Sequence, residues 1–346
     1  MQAVQTNRVI HVVGCHAAGE VGDVVVGGVR PPAGASLWEQ SRVLARDTRL
    51  KDFLLNEPRG GVFRHINILV PPVHPQAHMG NIILEPETVP PMSGSNTLCV
   101  TTVLLETGIL EMHEPFTDLV LEMPGGLVPV RAQCAGGRVR SVSFTNLPSY
   151  AERLDAPLEV PGMSTLSVDI AFGGDSFVVT DARTLGFSLQ ADEARELTSV
   201  GMAIARAAQE QLGFTHPLLS GMNQITFCML RGAVEMRDGT RHSTHAVAIK
   251  PGKLDRSPTG TGVSARLALM HARGEIGVRE KLVCHSILGS SFSGEILEET
   301  SVAERPAVLP RITGSAWITE TRQLMLAPDD PWPTGYRLAD TWPSHS

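Results

Sequence analysis

The sequence predicts an α+β protein made of two similar domains, and three observations carry that expectation. The chain has 346 residues, more than one hydrophobic core usually supports. Short β-patterned runs broken by Gly and Pro dominate it, and helical patterns are few. Two of those helices begin in the same way and have the same length, as a duplicated unit would.

In chain order, residues 24–26, 66–70, 176–180, 225–230 and 246–249 are apolar runs rich in β-branched residues and read as strands. The 33 Gly and 24 Pro supply the many turns that short strands need. Helical periodicity is confined to residues 36–46, 96–107, 191–212 and 263–272.

The second and fourth helices each follow a hydroxyl-glycine-hydroxyl triplet. One is Ser93-Gly94-Ser95, leading through Asn96 to a stop at Gly108; the other is Thr259-Gly260-Thr261, leading through Gly262 to a stop at Gly274. The stop lies 15 residues after the first hydroxyl in both cases, and the two units are 166 residues apart. Pro91 and Pro258 bias each entry away from helix until the turn is made, and the far glycines suit C-caps.

A helix start offers unpaired N–H groups and partial positive charge, so two such starts facing each other across a cleft would hold a carboxylate. They would also stabilise charge developing beside it. Capping alone places Ser and Thr at such positions; the matched pair, with glycines where a ligand can approach the backbone, favours a site. Asp255, four residues before Thr259, could hold a cationic amine.

Composition excludes several function classes. With 42% apolar and 19% charged residues the chain reads as globular, and a net charge of -7 gives no basic stripe for nucleic acid. The amino-terminal segment, MQAVQTNRVIHVVGCH, has neither the basic head nor the long apolar stretch of a secretory signal, and no run is long enough to span a membrane. A cytoplasmic protein without membrane partners is expected, which leaves room for a homodimer. Five scattered cysteines, Cys15, Cys99, Cys134, Cys228 and Cys284, suggest neither disulfides nor a zinc knuckle.

His11, Cys15 and His16, and the pair His242 and His245, lack convergent ligands and read as structural, so no metal is expected. Cys99 falls inside the first helix among Leu98, Val100 and Val103, where packing explains it better than nucleophilic chemistry. Nucleophile-elbow, dinucleotide and P-loop motifs are missing from the contexts that would give them meaning.

Together, PPMSGSNT and DRSPTGTG resemble the two active-site loops of the proline racemase superfamily, whose racemases and epimerases carry Met-Cys-Gly-His and Asp-Arg-Ser-Pro-Cys-Gly-Thr-Gly. Further matches run through His16, Gly19, Glu20 and Gly27-Gly28, then Glu57-Pro58-Arg59-Gly60, Gly173-Gly174-Asp175, His216-Pro217, Gly289, Phe292 and Gly294. They cover about residues 8–335.

The resemblance implies a two-domain diaminopimelate-epimerase-like fold, each domain a mixed β-sheet or barrel wrapped around a central helix. The domains are expected at 1–127 with a C-terminal return at 317–346, and at 128–316. By position Ser93 and Thr259 replace the two catalytic cysteines. Gly94, Ser95, Gly260 and Thr261 match the positions that hold the substrate carboxylate, and Asp255 the one that holds its ring amine.

Racemisation needs a group on each face of Cα that can exchange acid and base roles, and thiols suit that better than hydroxyls. By family likeness the Ser and Thr pair resembles the trans-3-hydroxy-L-proline dehydratases of the superfamily, which need one base to remove the Cα proton before the 3-hydroxyl leaves and pyrroline-2-carboxylate forms. The resemblance implies no metal, pyridoxal phosphate or nicotinamide. The alternatives are a 4-hydroxyproline 2-epimerase or proline racemase, and a non-catalytic amino-acid-binding protein that keeps the cleft.

Overall fold

The computed structural model describes residues 9–343. Residues 1–8, which carry half of the amino-terminal segment read above, and 344–346 at the end of the expected C-terminal return lie outside the described residues. The chain forms two compact units, one of residues 1–142 with 315–346 and the other of 143–314. Each is a mixed sheet around one buried helix, the α+β arrangement expected.

The first unit contains β1 (Ile10–Ala17), β2 (Glu20–Gly27), α1 (Leu37–Arg46), α2 (Arg49–Leu55), β3 (Arg64–Val70), β4 (Met79–Leu84), α3 (Gly94–Glu106), β5 (Phe116–Met123) and β6 (Gly126–Cys134). The strand β7 (Val139–Thr145) leads out of it, and the last strand, β17 (Ala316–Leu324), returns to pair antiparallel with β1. From there the ladder runs antiparallel to β2, parallel to β3, antiparallel to β4, parallel to β5 and antiparallel to β6.

Both parallel steps need a crossover. α1 and α2 supply the first, and α3 supplies the second. α1 forms because Ser36 caps it, its Oγ accepting from the Glu39 N–H, while the Glu39 carboxylate accepts from the Ala35 N–H.

Alternation along β3 assigns its two faces. Ile66, Ile68 and Val70 join Ile82 and Leu84 of β4 in a core closed by Leu37, Leu44, Phe53, Leu54 and Leu55 of α1 and α2. His65 and Asn67 therefore point to the other face, where α3 packs against β1, β2, β3 and β17. Residues 94–105 of α3 are all buried, which is why its sequence shows no polar face.

The second unit contains β8 (Tyr150–Leu158), β9 (Leu166–Phe172), β10 (Ser176–Asp181), two short 3₁₀ turns, α4 (Ala194–Gln211), β11 (Phe227–Arg237), β12 (Thr240–Ile249), β13 (Lys253–Leu254), α5 (Gly260–Ala272), β14 (Lys281–His285), β15 (Ser291–Val302) and β16 (Arg305–Gly314). Its ladder repeats that of the first unit. From β8 it runs antiparallel to β9 and β10, parallel to β11, antiparallel to β12, parallel to β14 and antiparallel to β15, with β16 beyond.

α4 and α5 occupy the two crossovers that α1–α2 and α3 occupy in the first unit. Ser149 and Val308 exchange both backbone hydrogen bonds at 2.8 Å, which closes the sheet around α5. Ala265 and Leu269 of α5 pack on Phe177, Val179, Met229 and Val247. The duplication read from one loop and helix per half thus extends to the whole strand order.

The sequence put the first domain change at 127/128, whereas the first unit extends to residue 142. β5 and β6 pair along their whole length, from Phe116 opposite Gln133 to Met123 opposite Gly126, and that hairpin holds residues 126–134 in the first unit.

Candidate active site

Each hydroxyl-glycine-hydroxyl triplet sits at the start of the central helix of its unit. Ser93 is the N-cap of α3 and Thr259 the N-cap of α5, yet neither side chain makes a capping hydrogen bond. Capping therefore does not explain either hydroxyl, although Ser and Thr are favoured there for that reason. The helices begin at Gly94 and Gly260, earlier than the sequence suggested, so both glycines and the hydroxyls Ser95 and Thr261 lie in the first turn. The N–H groups of a first turn have no acceptor within the helix.

In the first unit, the Ser93 Oγ accepts a hydrogen bond of 2.9 Å from Asn96 Nδ2 and lies 3.5 Å from Ser95 Oγ. The Thr97 N–H and hydroxyl both donate to the Ser93 carbonyl and fix the backbone at the turn. Ser93 is 9% exposed and Ser95 5%. Behind them His65 faces Asn96 at 3.4 Å and stands 3.4 Å from the Glu20 carboxylate and 3.8 Å from that of Glu85.

In the second unit, the Thr259 hydroxyl donates to Asp255 Oδ2 at 2.7 Å, while the Ser257 N–H donates to Asp255 Oδ1 at 2.8 Å. The Thr259 N–H donates to Ser257 Oγ at 3.0 Å. These bonds bring Asp255, Thr259, Gly260 and Thr261 into one buried loop. Thr259 has φ 56° and ψ 96°, a conformation that β-branched residues avoid and that persists where surroundings over-determine it.

His245 is one of those surroundings. Its Nε2 donates to the carbonyl of Pro258, and burial lowers its pKa to about 4, so the ring is neutral. Gly173 and Gly174 are another. A Cβ on Gly173 would lie 2.1 Å from the Thr261 carbonyl oxygen, and one on Gly174 2.9 Å from Thr261 Cγ2, so the glycines let this strand end approach the first turn of α5.

The other residues singled out in the sequence have structural places. Cys99 is fully buried in α3, and burial raises its thiol pKa. His16 stacks on Trp317 and accepts the Gly19 N–H. His242 is bonded to His285 at 2.9 Å. His216 accepts from the N–H groups of Leu218 and Leu219. Arg59 binds Asp330 at 2.6 Å and the Trp332 carbonyl, holding the C-terminal segment on the first unit.

Sequence reasoning passed over Asn67 and Asn81, named Asn96 only as part of a helix entry and read His245 only as structural. The missed signal was polar residues inside apolar strands, in HINILV, GNIIL and THAVAI. No helix among the described residues is long and apolar enough to cross a membrane.

Comparison with known proteins agrees with this construction. The proline racemase family model matches residues 12–337. Among solved structures, a hydroxyproline epimerase from Agrobacterium vitis with bound trans-4-hydroxy-L-proline is 36% identical, with a TM-score of 0.93 over 97% of this chain and 96% of that one. A probable proline racemase from Agrobacterium radiobacter K84 with bound carbonate is 35% identical, with a TM-score of 0.92 over 96% of this chain and 98% of that one.

A Bacillus anthracis phenazine biosynthesis protein of the PhzF family shares the fold at 12% identity, with a TM-score of 0.57 over 92% of this chain and all of that one. The similar proteins of known fold and higher identity are thus described as an epimerase and a racemase, rather than as dehydratases. Two hydroxyl-bearing helix starts on a duplicated fold, with a family match over nearly the whole length, make this chain a member of the proline racemase family.

Proposed function

We propose that this protein is a cofactor-independent enzyme that removes and returns the Cα proton of a hydroxyproline, acting as a 2-epimerase. The observation that carries the reading is the bond from the Thr259 hydroxyl to the Asp255 carboxylate. A threonine alone is a poor proton carrier. With Asp255 behind it, Thr259 can take the Cα proton at its oxygen as its own proton passes to Asp255 Oδ2, and the reverse movement delivers a proton.

This reading takes over the roles that the resemblance gives to Ser93, as a second acid–base group, and to Gly94, Ser95, Gly260 and Thr261, as the hold on the carboxylate; a helix start suits the negative charge that develops there. Asp255 matches the family position that holds the ring amine, and this reading gives it that part. Each turnover moves one proton off Cα and one on, with no net change in composition. The similarity to a hydroxyproline epimerase solved with trans-4-hydroxy-L-proline supports this substrate class.

A second reading is dehydration of trans-3-hydroxy-L-proline, and the asymmetry of the two hydroxyls favours it. Thr259 is bonded to a carboxylate and Ser93 to an amide, which suits chemistry needing a different group on each face. Loss of the Cα proton and of the 3-hydroxyl, which leaves as water, gives an enamine that tautomerises to pyrroline-2-carboxylate.

Incubation of the purified protein with proline and with its 3- and 4-hydroxy derivatives in deuterated water separates the two. Inverted product carrying deuterium at Cα supports epimerisation, and pyrroline-2-carboxylate supports dehydration. Absence of both, with binding of planar pyrrole-2-carboxylate intact, would leave a binding protein. Replacement of Ser93 or of Thr259 by Ala is expected to abolish either turnover with the fold retained.

A further inference from the structure

Three asparagines in the first unit, Asn67, Asn81 and Asn96, are each 0% exposed. Burying an amide costs free energy unless its donors and acceptor are used. Asn67 and Asn96 use both ends of the amide and Asn81 only its Nδ2, its Oδ1 having no partner among the described residues at the far end of the file, and the bonds between them run in one direction. Asn81 Nδ2 donates to Asn67 Oδ1 at 3.0 Å, Asn67 Nδ2 donates to Asn96 Oδ1 at 2.7 Å, and Asn96 Nδ2 donates to Ser93 Oγ at 2.9 Å.

The strands explain the alignment. Asn67 of β3 opposes Ile83 of β4, so Asn81 is its diagonal neighbour on the same face, the face that α3 covers. Gly22 of β2 makes the room, because a Cβ there would lie 2.6 Å from Asn96 Oδ1. Turning over the Asn96 amide alone would set its Nδ2 against that of Asn67, donor to donor. Asn67 is held in its own sense by donating also to the Asp23 carbonyl at 3.3 Å.

We infer that this file of amides is a positioning device for the reaction at Ser93, with Asn96 as the residue that touches it. The Ser93 oxygen is obliged to accept, so its own hydrogen is directed elsewhere. When that hydrogen leaves, the bond from Asn96 becomes charge-assisted and stabilises the alkoxide together with the start of α3. The chain of aligned amides polarises the last donor further. A serine base is thereby made competent without a neighbouring carboxylate in contact with its oxygen. The inference rests on the reading of Ser93 as an acid–base group, and its test is independent of turnover.

The test converts Ser93 into a titratable reporter. In the full-length Ser93→Cys variant, thiolate absorbance near 240 nm is followed against pH, with the unmodified protein as the blank. Adding Asn96→Ala is expected to raise the thiol titration by about 1–2 pH units, the size of one hydrogen bond to a charged group. Adding Asn67→Leu instead, which leaves Asn96 in place but unoriented, is expected to raise it by a smaller amount.

The ionisable groups facing this region, His65 of β3, Glu20 of β2, and Glu85 just beyond β4, are present in all variants; Asn96→Ala also removes the 3.4 Å contact of Asn96 with His65, and Asn67→Leu, which leaves that contact in place, is the control for it. Either variant suffices if the other does not fold, and an unchanged thiol titration in the folded variant overturns the inference. With Ser93 intact, Asn96→Ala is expected to lower kcat at least tenfold with KM little changed. A thiol shift in a protein that turns over no imino acid would uphold the role of Asn96 and refute the functional reading instead.

Discussion

Thr259 carries a side chain at φ 56° and ψ 96°, and the cost of holding it there can be isolated by two substitutions. Thr259→Ala and Thr259→Gly both delete the hydroxyl and its bond to Asp255, so that loss cancels between them. Alanine keeps the Cβ that the conformation penalises; glycine does not. Strain of this kind costs about 1–3 kcal/mol, and the extra freedom of glycine in the unfolded chain returns about 0.5–1 kcal/mol.

The glycine variant is therefore expected to be the more stable of the two by about 0.5–2 kcal/mol. Urea denaturation at pH 7 measures the difference as a shift in midpoint at constant slope. In a unit of this size it corresponds to about 1–8 °C in Tm. Both variants should be inactive for want of the hydroxyl. Equal stability, or an alanine variant more stable than the glycine one, would refute the argument that the fold holds Thr259 under strain for its chemistry.

Gly173→Ala would place a Cβ 2.1 Å from the Thr261 carbonyl oxygen and 2.4 Å from the Ala265 nitrogen, both backbone atoms of α5. A displacement of about 1 Å at this helix start is expected to cost about 1–3 kcal/mol of stability and about a hundredfold in kcat/KM; unchanged thermal melting and kinetics would show that the approach is not tight. Burial of His216 lowers its pKa to about 4 from an ordinary 6.5, so the unfolded chain takes up a proton first as pH falls. The stabilisation is complete above about pH 6.5 and is lost towards pH 4, and His216→Gln should flatten that part of the curve of urea midpoint against pH.

The sequence displayed the parts of this molecule that depend on local chemistry. The helix at α1 was readable because Ser36, Glu39 and an apolar stripe agree on it, and α3 and α5 because an apolar stretch without a polar side must lie inside something. α2 was not readable, since seven residues are too few to establish a period. The early start of α3 was hidden because Gly94 disfavours helix by itself, and only packing overrides that.

At the site the two hydroxyls, the glycines beside them and Asp255 were visible through their pattern. What Ser93 and Thr259 are bonded to was not. Asn67 and Asn81 come from strands well before α3 in the chain, and the left-handed backbone of Thr259 contradicts the ordinary preference of threonine. The expectation of a dehydratase came from the likeness of the Ser and Thr pair to superfamily dehydratases, beside the weakness of isolated hydroxyls as bases, and the carboxylate behind Thr259 removes half of that second objection.

The return of β17 to β1 has a consequence for synthesis. One unit is continuous from residue 143 to 314, while the other needs both the beginning and the end of the chain. On the ribosome the continuous unit can be finished first, and β1 must wait for the final strand to emerge before its open edge is covered. A nascent chain stalled before residue 316 is expected to hold one folded half and one with an unprotected margin.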